Sequence, residues 1–265
     1  MKYDNLEKIL GKNWLNKNPN HPYNQWIIKP EKSKEKIVLS NLESYLKKIP
    51  LLKTKTIQTK LRNPTQFVDT YYELEVACYL IDNEFDVDLE RNFLNKLGFD
   101  ITPDIFLKTD NIIIEVKTLH RSDKVKEGLN SGKAFKHNEA IRIKDDIFSE
   151  LEKYAGKGIK YPLIIIICPD FIEPPYVSID DFENVLYARA DKAVFIGEFC
   201  LTPNFEYKGV YYDGDQANIL SGVGLWDKGR IIFFENPNVK KELTLLQIKL
   251  LNLLQKRVLD QKERN

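Results

Sequence analysis

The chain has 265 residues, of which 43% are hydrophobic and 30% are charged, and its formal net charge is +1. This length and composition support a sizeable hydrophobic core, either in one large domain or in a core with an added subdomain. No segment approaches the roughly 18 consecutive apolar residues that a membrane-spanning helix needs. We therefore expect no membrane partner.

Compartment is indicated by the opening of the chain and by its cysteines. The opening, MKYDNLEKILGKNW, lacks the apolar region of a signal peptide. Cys78, Cys168 and Cys200 are isolated in apolar contexts, which is typical of buried thiols in a reducing compartment and not of a disulfide set or a zinc site. We therefore expect a cytoplasmic protein. The sequence also contains no Gly-rich phosphate loop, so we expect that the protein is not an ATP-driven motor.

A basic segment begins the chain. Residues 1–62 hold fourteen Lys or Arg and five Asp or Glu, whereas the remainder holds 26 against 34. Apolar residues at helical spacing predict folded helix after the Pro- and Asn-rich residues 17–31. Two interpretations stay open for this segment: an arm that binds a nucleic-acid backbone, or a helical cap with solvated lysines.

An amphipathic helix is predicted next. Asn63 followed by Pro64 favours an N-cap and a first helical turn. Apolar residues then recur at three- and four-residue spacing, at Phe67, Tyr71, Leu74, Ala77, Cys78 and Ile81. The helix leads into a first strand at residues 85–89.

Two further strands, separated by a turn-rich linker, are predicted at residues 102–107 and 111–118. Since side chains alternate along a strand, Glu115 and Lys117 share one face of the second strand. A loop of two or four residues would place Asp104 directly opposite Glu115, and a loop centred one residue later would place it opposite Lys117. In either register we expect the three charged side chains on one face.

This arrangement favours a divalent metal ion. Like charges that face each other across two strands are destabilising, and a cation removes that conflict. Mg²⁺ prefers oxygen ligands, usually one or two carboxylates with water and substrate phosphate. Lys117 cannot bind the metal while protonated, but it can orient a water or stabilise charge on a phosphate. The alternative is an ordinary hairpin with charges on its solvated face.

A second helix and a buried strand follow. Within residues 132–155, apolar residues recur at helical spacing, at Ala140, Ile143, Ile147, Phe148, Leu151 and Tyr154. Gly156 and Gly158 are expected to end this helix. The continuous apolar run at residues 161–168 predicts a strand buried on both faces.

The chain after residue 170 is predicted to be β-rich. Residues 218–226 and 230–235 are predicted to form a hairpin around Asp227-Lys228-Gly229. Residues 243–259 form a leucine-rich helix, for which two interpretations stay open: packing on the core, or pairing with a second copy in a homodimer.

Pro103-Asp104, ten residues, and Glu115-Val116-Lys117 resemble the motif of the PD-(D/E)XK nuclease superfamily, which includes many restriction endonucleases. The resemblance extends over roughly residues 65–170. It implies an α/β fold with a restriction-endonuclease-like αβββαβ core, in which helices flank a mixed sheet. A helical N-terminal segment (1–62) and a β-rich C-terminal extension (171–265) would adjoin the nuclease core (63–170).

The resemblance also implies roles for residues. Asp104 and Glu115, with the backbone carbonyl of Val116, would bind Mg²⁺, for which Mn²⁺ would substitute, and Lys117 would be the catalytic lysine. An acidic residue on the first helix often faces the metal in this superfamily. Glu73 and Glu75 are the candidates, and Glu73 is preferred because it lies beside the buried face.

In several branches the second helix adds a polar residue, for which Arg142 and Lys144 are available here. The function expected from the resemblance is hydrolysis of phosphodiester bonds in nucleic acid, with DNA as the substrate. Two alternatives stay open: a catalytically inactive nucleic-acid-binding module on the same fold, and an interaction protein that uses the C-terminal region.

Overall fold

The computed structural model describes residues 3–49, 54–91, 93–94, 100–120, 139–157, 161–170, 179–187, 194–196, 199–201, 210–212, 219–227 and 229–239. The chain divides into two compact units. The first unit comprises Met1–Arg91 and Pro103–Thr109, and the second comprises Asn92–Thr102 and Asp110–Asn265. The three-part division at residues 62 and 170 stays a prediction.

The first unit is mainly helical. Its helices are α1 (Asp4–Leu10), α2 (Lys12–Lys17), α3 (Pro22–Trp26), α4 (Lys34–Lys48), α5 (Thr54–Arg62) and α6 (Phe67–Asp82), and its strands are β1 (Val87–Leu89) and β4 (Ile105–Leu107).

The second unit contains most of the strands. In chain order its elements are β2 (Phe93–Leu94), β3 (Asp100–Ile101), β5 (Ile112–Leu119), α7 (Glu139–Glu152), β6 (Leu163–Pro169), α8 (Ile179–Tyr187), β7 (Val194–Ile196), β8 (Phe199–Leu201), a 3-10 turn (Val210–Tyr212), β9 (Leu220–Asp227) and β10 (Arg230–Glu235).

The core of the first unit lies between α1, α4, α5 and α6. Leu6, Leu39, Leu42, Leu61 and Leu74 are at most 1% exposed, so the apolar faces of these helices are fully covered. The N-terminus of α1 is capped from α4, where the Glu43 carboxylate accepts hydrogen bonds from the backbone N–H groups of Asn5 and Leu6 at 3.0 Å. This cap stabilises the otherwise unpaired donors of a helix start.

The helix predicted from the apolar spacing is confirmed as α6, but the predicted N-cap is wrong. Asn63 Oδ1 accepts from the backbone N–H of Thr65 at 3.1 Å and from its hydroxyl at 2.8 Å. This short-range bonding makes a turn of residues 63–66, because an asparagine side chain readily bonds the backbone two residues ahead. The helix therefore begins at Phe67, and Gln66 is its N-cap without a side-chain cap bond.

In the first unit, β1 pairs antiparallel with β4, and Leu89 lies opposite Ile105. The predicted strand at residues 102–107 is shorter than expected, since β4 begins only at Ile105. Pro103 has no backbone N–H to donate to a neighbouring strand, which is consistent with a later start. Asp104 therefore lies at the entry to the strand.

In the second unit, β5 pairs parallel with β6, β6 pairs parallel with β9, and β9 pairs antiparallel with β10. The buried strand predicted from the apolar run is confirmed as β6, in which six successive residues are buried. The predicted hairpin near the C-terminal end of the described chain is also confirmed, with Asp227 opposite Arg230. The predicted helix at residues 243–259 lies outside the described residues.

The fold is mixed α/β. Among the described residues, β1 and β4 form an antiparallel pair in the first unit, and β5, β6, β9 and β10 form a mixed sheet in that order in the second. Along the chain, α6, β1, β4, β5, α7 and β6 follow the predicted order of one helix, three strands, a helix and a strand. The short hairpin β2-β3, inserted between β1 and β4, was not predicted. None of the helices that the structure describes is both long and apolar enough to cross a bilayer.

Ile165 tests the role of β6 as the central strand of the second unit. Its side chain is fully buried, so we expect Ile165→Ala to lower the free energy of unfolding by about 2–5 kcal/mol through lost burial and cavity formation. Urea denaturation followed by circular dichroism would measure this. Ile179→Ala is the matched control in the same unit, because Ile179 is 43% exposed, and an equal loss for both variants would contradict the assignment.

Candidate metal centre

Three carboxylates of the first unit converge. Glu90 directly follows β1 and Asp104 directly precedes β4, so the antiparallel pairing of Leu89 with Ile105 places them opposite each other. The backbone N–H of Glu90 donates to the carbonyl oxygen of Asp104 at 3.1 Å. Glu73 reaches the same point from α6, and one carboxylate oxygen from each of the three residues lies within 4.8 Å of the other two. We call Glu73, Glu90 and Asp104 the acidic cluster.

Lys60, near the end of α5, reaches into the acidic cluster. Its Nζ lies 2.8 Å and 3.0 Å from the two carboxylate oxygens of Glu73 and 3.3 Å from Oδ1 of Asp104. It also forms an ion pair with Oε1 of Glu90. One ammonium group therefore contacts all three carboxylates.

The charges in this group do not balance. The three carboxylate side chains are between 11% and 16% exposed, and the Lys60 side chain is 21% exposed. Burial would lower the pKa of Lys60, but Glu73, Asp104 and Glu90 outweigh burial and raise this pKa above its usual value. Burial, reinforced by Asp104, raises the pKa of Glu73 to about 8 against the opposing effect of Lys60. The lysine thus keeps its proton, and the negative charge that it leaves uncompensated favours a proton on Glu73.

The donor set fits a hard divalent cation. Three carboxylates within one small volume supply the oxygen ligands that Mg²⁺ prefers. Glu75 is directed elsewhere, because its carboxylate accepts from the hydroxyls of Tyr45 at 2.9 Å and Tyr71 at 3.0 Å. Of the two glutamates considered on α6, Glu73 is the one beside Asp104.

In the second unit, Glu115 is buried on β5 with an exposed fraction of 3%. The hydroxyl of Tyr154, just beyond the end of α7, donates to Glu115 Oε1. A buried carboxylate requires such a donor, because an unpaired buried charge is strongly destabilising. The neighbouring Val116 is also buried, at 8% exposed.

Lys117 lies two residues further along β5, and it also contacts α7. Its Nζ is 3.5 Å from Oε1 of Glu150, whose side chain is only 6% exposed. Lys153 forms a second ion pair with Glu150. Because Glu150 and Tyr154 are four residues apart, they project from the same side of this segment toward the face of β5 that carries Glu115 and Lys117.

A histidine–aspartate pair lies at the ends of β5 and β6. His120 Nδ1 is 2.9 Å from Oδ2 of Asp170, and the backbone N–H of Asp170 donates to the carbonyl of Leu119 at 3.1 Å. The preceding residues, Leu119 and Pro169, line a cavity of about 120 Å³ at the carboxyl ends of the parallel strands. The His120 side chain is 34% exposed.

The structure locates each predicted site residue in one of two environments. Asp104 and Glu73 lie together in the first unit, whereas Glu115, Val116 and Lys117 lie on β5 in the second. The joint binding of one metal by Asp104, Glu115 and Val116, with Lys117 as the catalytic lysine, stays a prediction from the sequence.

Sequence reasoning missed Lys60, Glu90, Glu150 and Tyr154 as neighbours of these residues. Glu90 was detectable, because pairing the strand at residues 85–89 with the strand after Asp104 brings it opposite that aspartate. Glu150 was also detectable, since it lies seven residues after Ile143 on the apolar face of α7. Lys144, one of the two polar candidates on the second predicted helix, has its Nζ 5.7 Å from the centre of the Phe148 ring. Nothing in the sequence distinguishes Lys60 from other helix lysines.

No protein-family model, no curated protein and no solved structure matches this chain.

The raised pKa of Glu73 predicts a pH-dependent stability. Between its ordinary pKa of 4.5 and its folded value of about 8, the unfolded chain releases a proton that the folded protein keeps. The free energy of unfolding therefore falls as pH rises through this window. We expect Glu73→Gln to remove that fall, so that the variant gains stability relative to the parent protein between pH 5 and pH 8.

Urea denaturation at several pH values, with a chelator present, measures this slope. Glu35→Gln, on α4 and outside the acidic cluster, is the control and should retain the slope of the parent protein. An unchanged slope in Glu73→Gln would show that this carboxyl group titrates normally.

The bond between Tyr154 and Glu115 predicts a stability loss on removing one hydroxyl. We expect Tyr154→Phe to lower the free energy of unfolding by about 1–3 kcal/mol, because a buried carboxylate loses one hydrogen-bond donor. Thermal unfolding would detect this, with Tyr161→Phe as the control, since Tyr161 is 36% exposed in the same unit. A loss no larger than that of the control would contradict a supporting role for the hydroxyl.

Proposed function

We propose that this chain is a metal-dependent nuclease that hydrolyses phosphodiester bonds, with DNA as the substrate. The observation that carries the proposal is the convergence of Glu73, Glu90 and Asp104 within 4.8 Å. Its support from the sequence is the motif formed by Asp104, Glu115 and Lys117. Its support from the fold is the order of one helix, three strands, a helix and a strand, which the PD-(D/E)XK superfamily core requires.

The residues present fit the cation that the motif implies. The carboxylates of the acidic cluster would hold Mg²⁺, and the motif assigns Glu115 and the Val116 carbonyl to the same ion. A bound Mg²⁺ would lower the pKa of a water molecule and neutralise charge on the phosphate.

The chain's own residues would position the attacking water, stabilise charge on the phosphate and hold a metal ligand in place. The motif assigns Lys117 to positioning the attacking water and stabilising negative charge on the phosphate. In the overall reaction a water oxygen forms a bond to phosphorus, one bridging P–O bond breaks, and the departing oxygen gains a proton. Tyr154, through its hydrogen bond, would hold the Glu115 carboxylate in a fixed orientation.

Asp104→Asn tests the proposal directly. The substitution keeps the shape of the side chain and removes one metal-binding charge, so we expect Mn²⁺ affinity to fall at least about tenfold and cleavage of linear DNA in Mg²⁺ to fall at least about 100-fold. Calorimetry measures metal binding, and gel electrophoresis measures cleavage. Asp86→Asn is the matched control, because Asp86 pairs with Lys108 at 2.8 Å and its side chain is 53% exposed.

The same assays separate the alternatives. Parallel loss of metal affinity and cleavage in Glu115→Gln would support a site shared with Asp104. Salt-sensitive DNA binding without cleavage in Mg²⁺ or Mn²⁺ would identify a binding module. Absence of metal binding, of DNA binding and of cleavage in the parent protein would overturn the proposal and favour an interaction protein.

A further inference from the structure

The position that a metal would take in the acidic cluster already has a cationic neighbour. Lys60 Nζ is within 3.3 Å of oxygens from Glu73 and Asp104 and forms an ion pair with Glu90. The ammonium group therefore engages every carboxylate whose oxygens define the cluster. An exposed surface lysine typically pairs with one acidic residue, as Lys48 does with Asp82 at 2.6 Å.

An ammonium group and a divalent cation compete for such a place. The Lys60 ammonium donates to both carboxylate oxygens of Glu73 and to Oδ1 of Asp104, which are oxygens that a metal would need. An ammonium has no acceptor to offer a metal. The two positive charges also repel each other strongly at short range in a site with little solvent. The ammonium group and the metal ion therefore cannot make their full sets of contacts with the same three carboxylates at the same time.

The Lys60 side chain is flexible enough to move its ammonium group out of the acidic cluster. It projects from α5 on a flexible four-carbon stem, so the ammonium can move by several ångströms through rotamer changes while the helix stays in place. The α5 backbone is anchored independently by Leu61, which is fully buried, and by Arg62, whose Nε donates to the carbonyl oxygen of Leu10 at 2.9 Å. Movement of the ammonium therefore need not disturb the packing of the first unit.

We propose that Lys60 is an internal counter-cation of the acidic cluster, which stabilises the metal-free protein and is displaced when a divalent metal ion binds. The inference rests on the proposed function, because it concerns the same metal site. Lys60 thereby sets the metal affinity: each binding event includes the loss of its contacts with the carboxylates. In the metal-free protein Lys60 reduces the repulsion among the three neighbouring carboxylates, and in its presence a higher metal concentration is needed to fill half of the sites.

The test is Mn²⁺ binding by calorimetry to the full-length chain carrying Lys60→Met or Lys60→Gln. Both substitutions remove the charge, and the second keeps a hydrogen-bond donor in case the first does not fold. We expect each to bind Mn²⁺ at least tenfold more tightly than the parent protein. Lys60→Arg keeps the charge and should bind Mn²⁺ no more tightly than the parent protein. Lys48→Met is the matched control, since it removes one lysine charge of the same unit outside the cluster, and its affinity should equal that of the parent.

Thermal unfolding supplies a second measurement. Without metal, Lys60→Gln should have a lower Tm than the parent protein, and saturating Mn²⁺ should raise its Tm by more than it raises that of the parent. If the parent binds Mn²⁺ and the Lys60→Gln variant binds it equally or more weakly, the inference is wrong while the metal site stands. If none of the proteins binds Mn²⁺, the proposed metal site itself is wrong, and the inference is rejected with it.

Discussion

The candidate site is built around the close approach of three carboxylates in the first unit. The antiparallel pairing of β1 with β4 brings Glu90 opposite Asp104, and α6 adds Glu73 to them. Such a group is unstable in a partly buried place unless a cation compensates it. Lys60 provides one positive charge for three carboxylates, so the protein alone compensates the acidic cluster only in part. This deficit is what makes the cluster suitable for a divalent metal.

The second unit stabilises a buried carboxylate in a different way. Glu115 is almost completely buried on β5, and a tyrosine hydroxyl satisfies it without adding a charge. Lys117 is more exposed, and the buried carboxylate of Glu150 attracts it. Both supporting side chains come from the α7 segment, which packs against β5 through its apolar face. The helix therefore covers the sheet and orients the two charged residues of the motif.

The helices before residue 62 belong to the architecture of the candidate site, and their role extends beyond the basic charge of this segment. α5 carries the lysine that contacts the acidic cluster, and α1 and α4 pack with α5 and α6 in one core. The opening segment was interpreted either as a nucleic-acid-binding arm or as a helical cap. Its buried leucines and the Glu43 cap on α1 show that it is folded and packed, whatever its exposed lysines bind.

Local patterns in the sequence were enough to locate several elements and to single out candidate site residues. Periodicity located α6, α7 and β6, because repeated burial of one face or of a whole strand leaves a local pattern in the chain. The motif singled out Asp104, Glu115 and Lys117, and helix-face reasoning preferred Glu73 to Glu75. Only the tertiary structure brought Lys60 and Glu90 to Asp104, and Glu150 and Tyr154 to β5. Those contacts join residues distant in the chain, and strand register and helix packing, which local patterns do not encode, decide them.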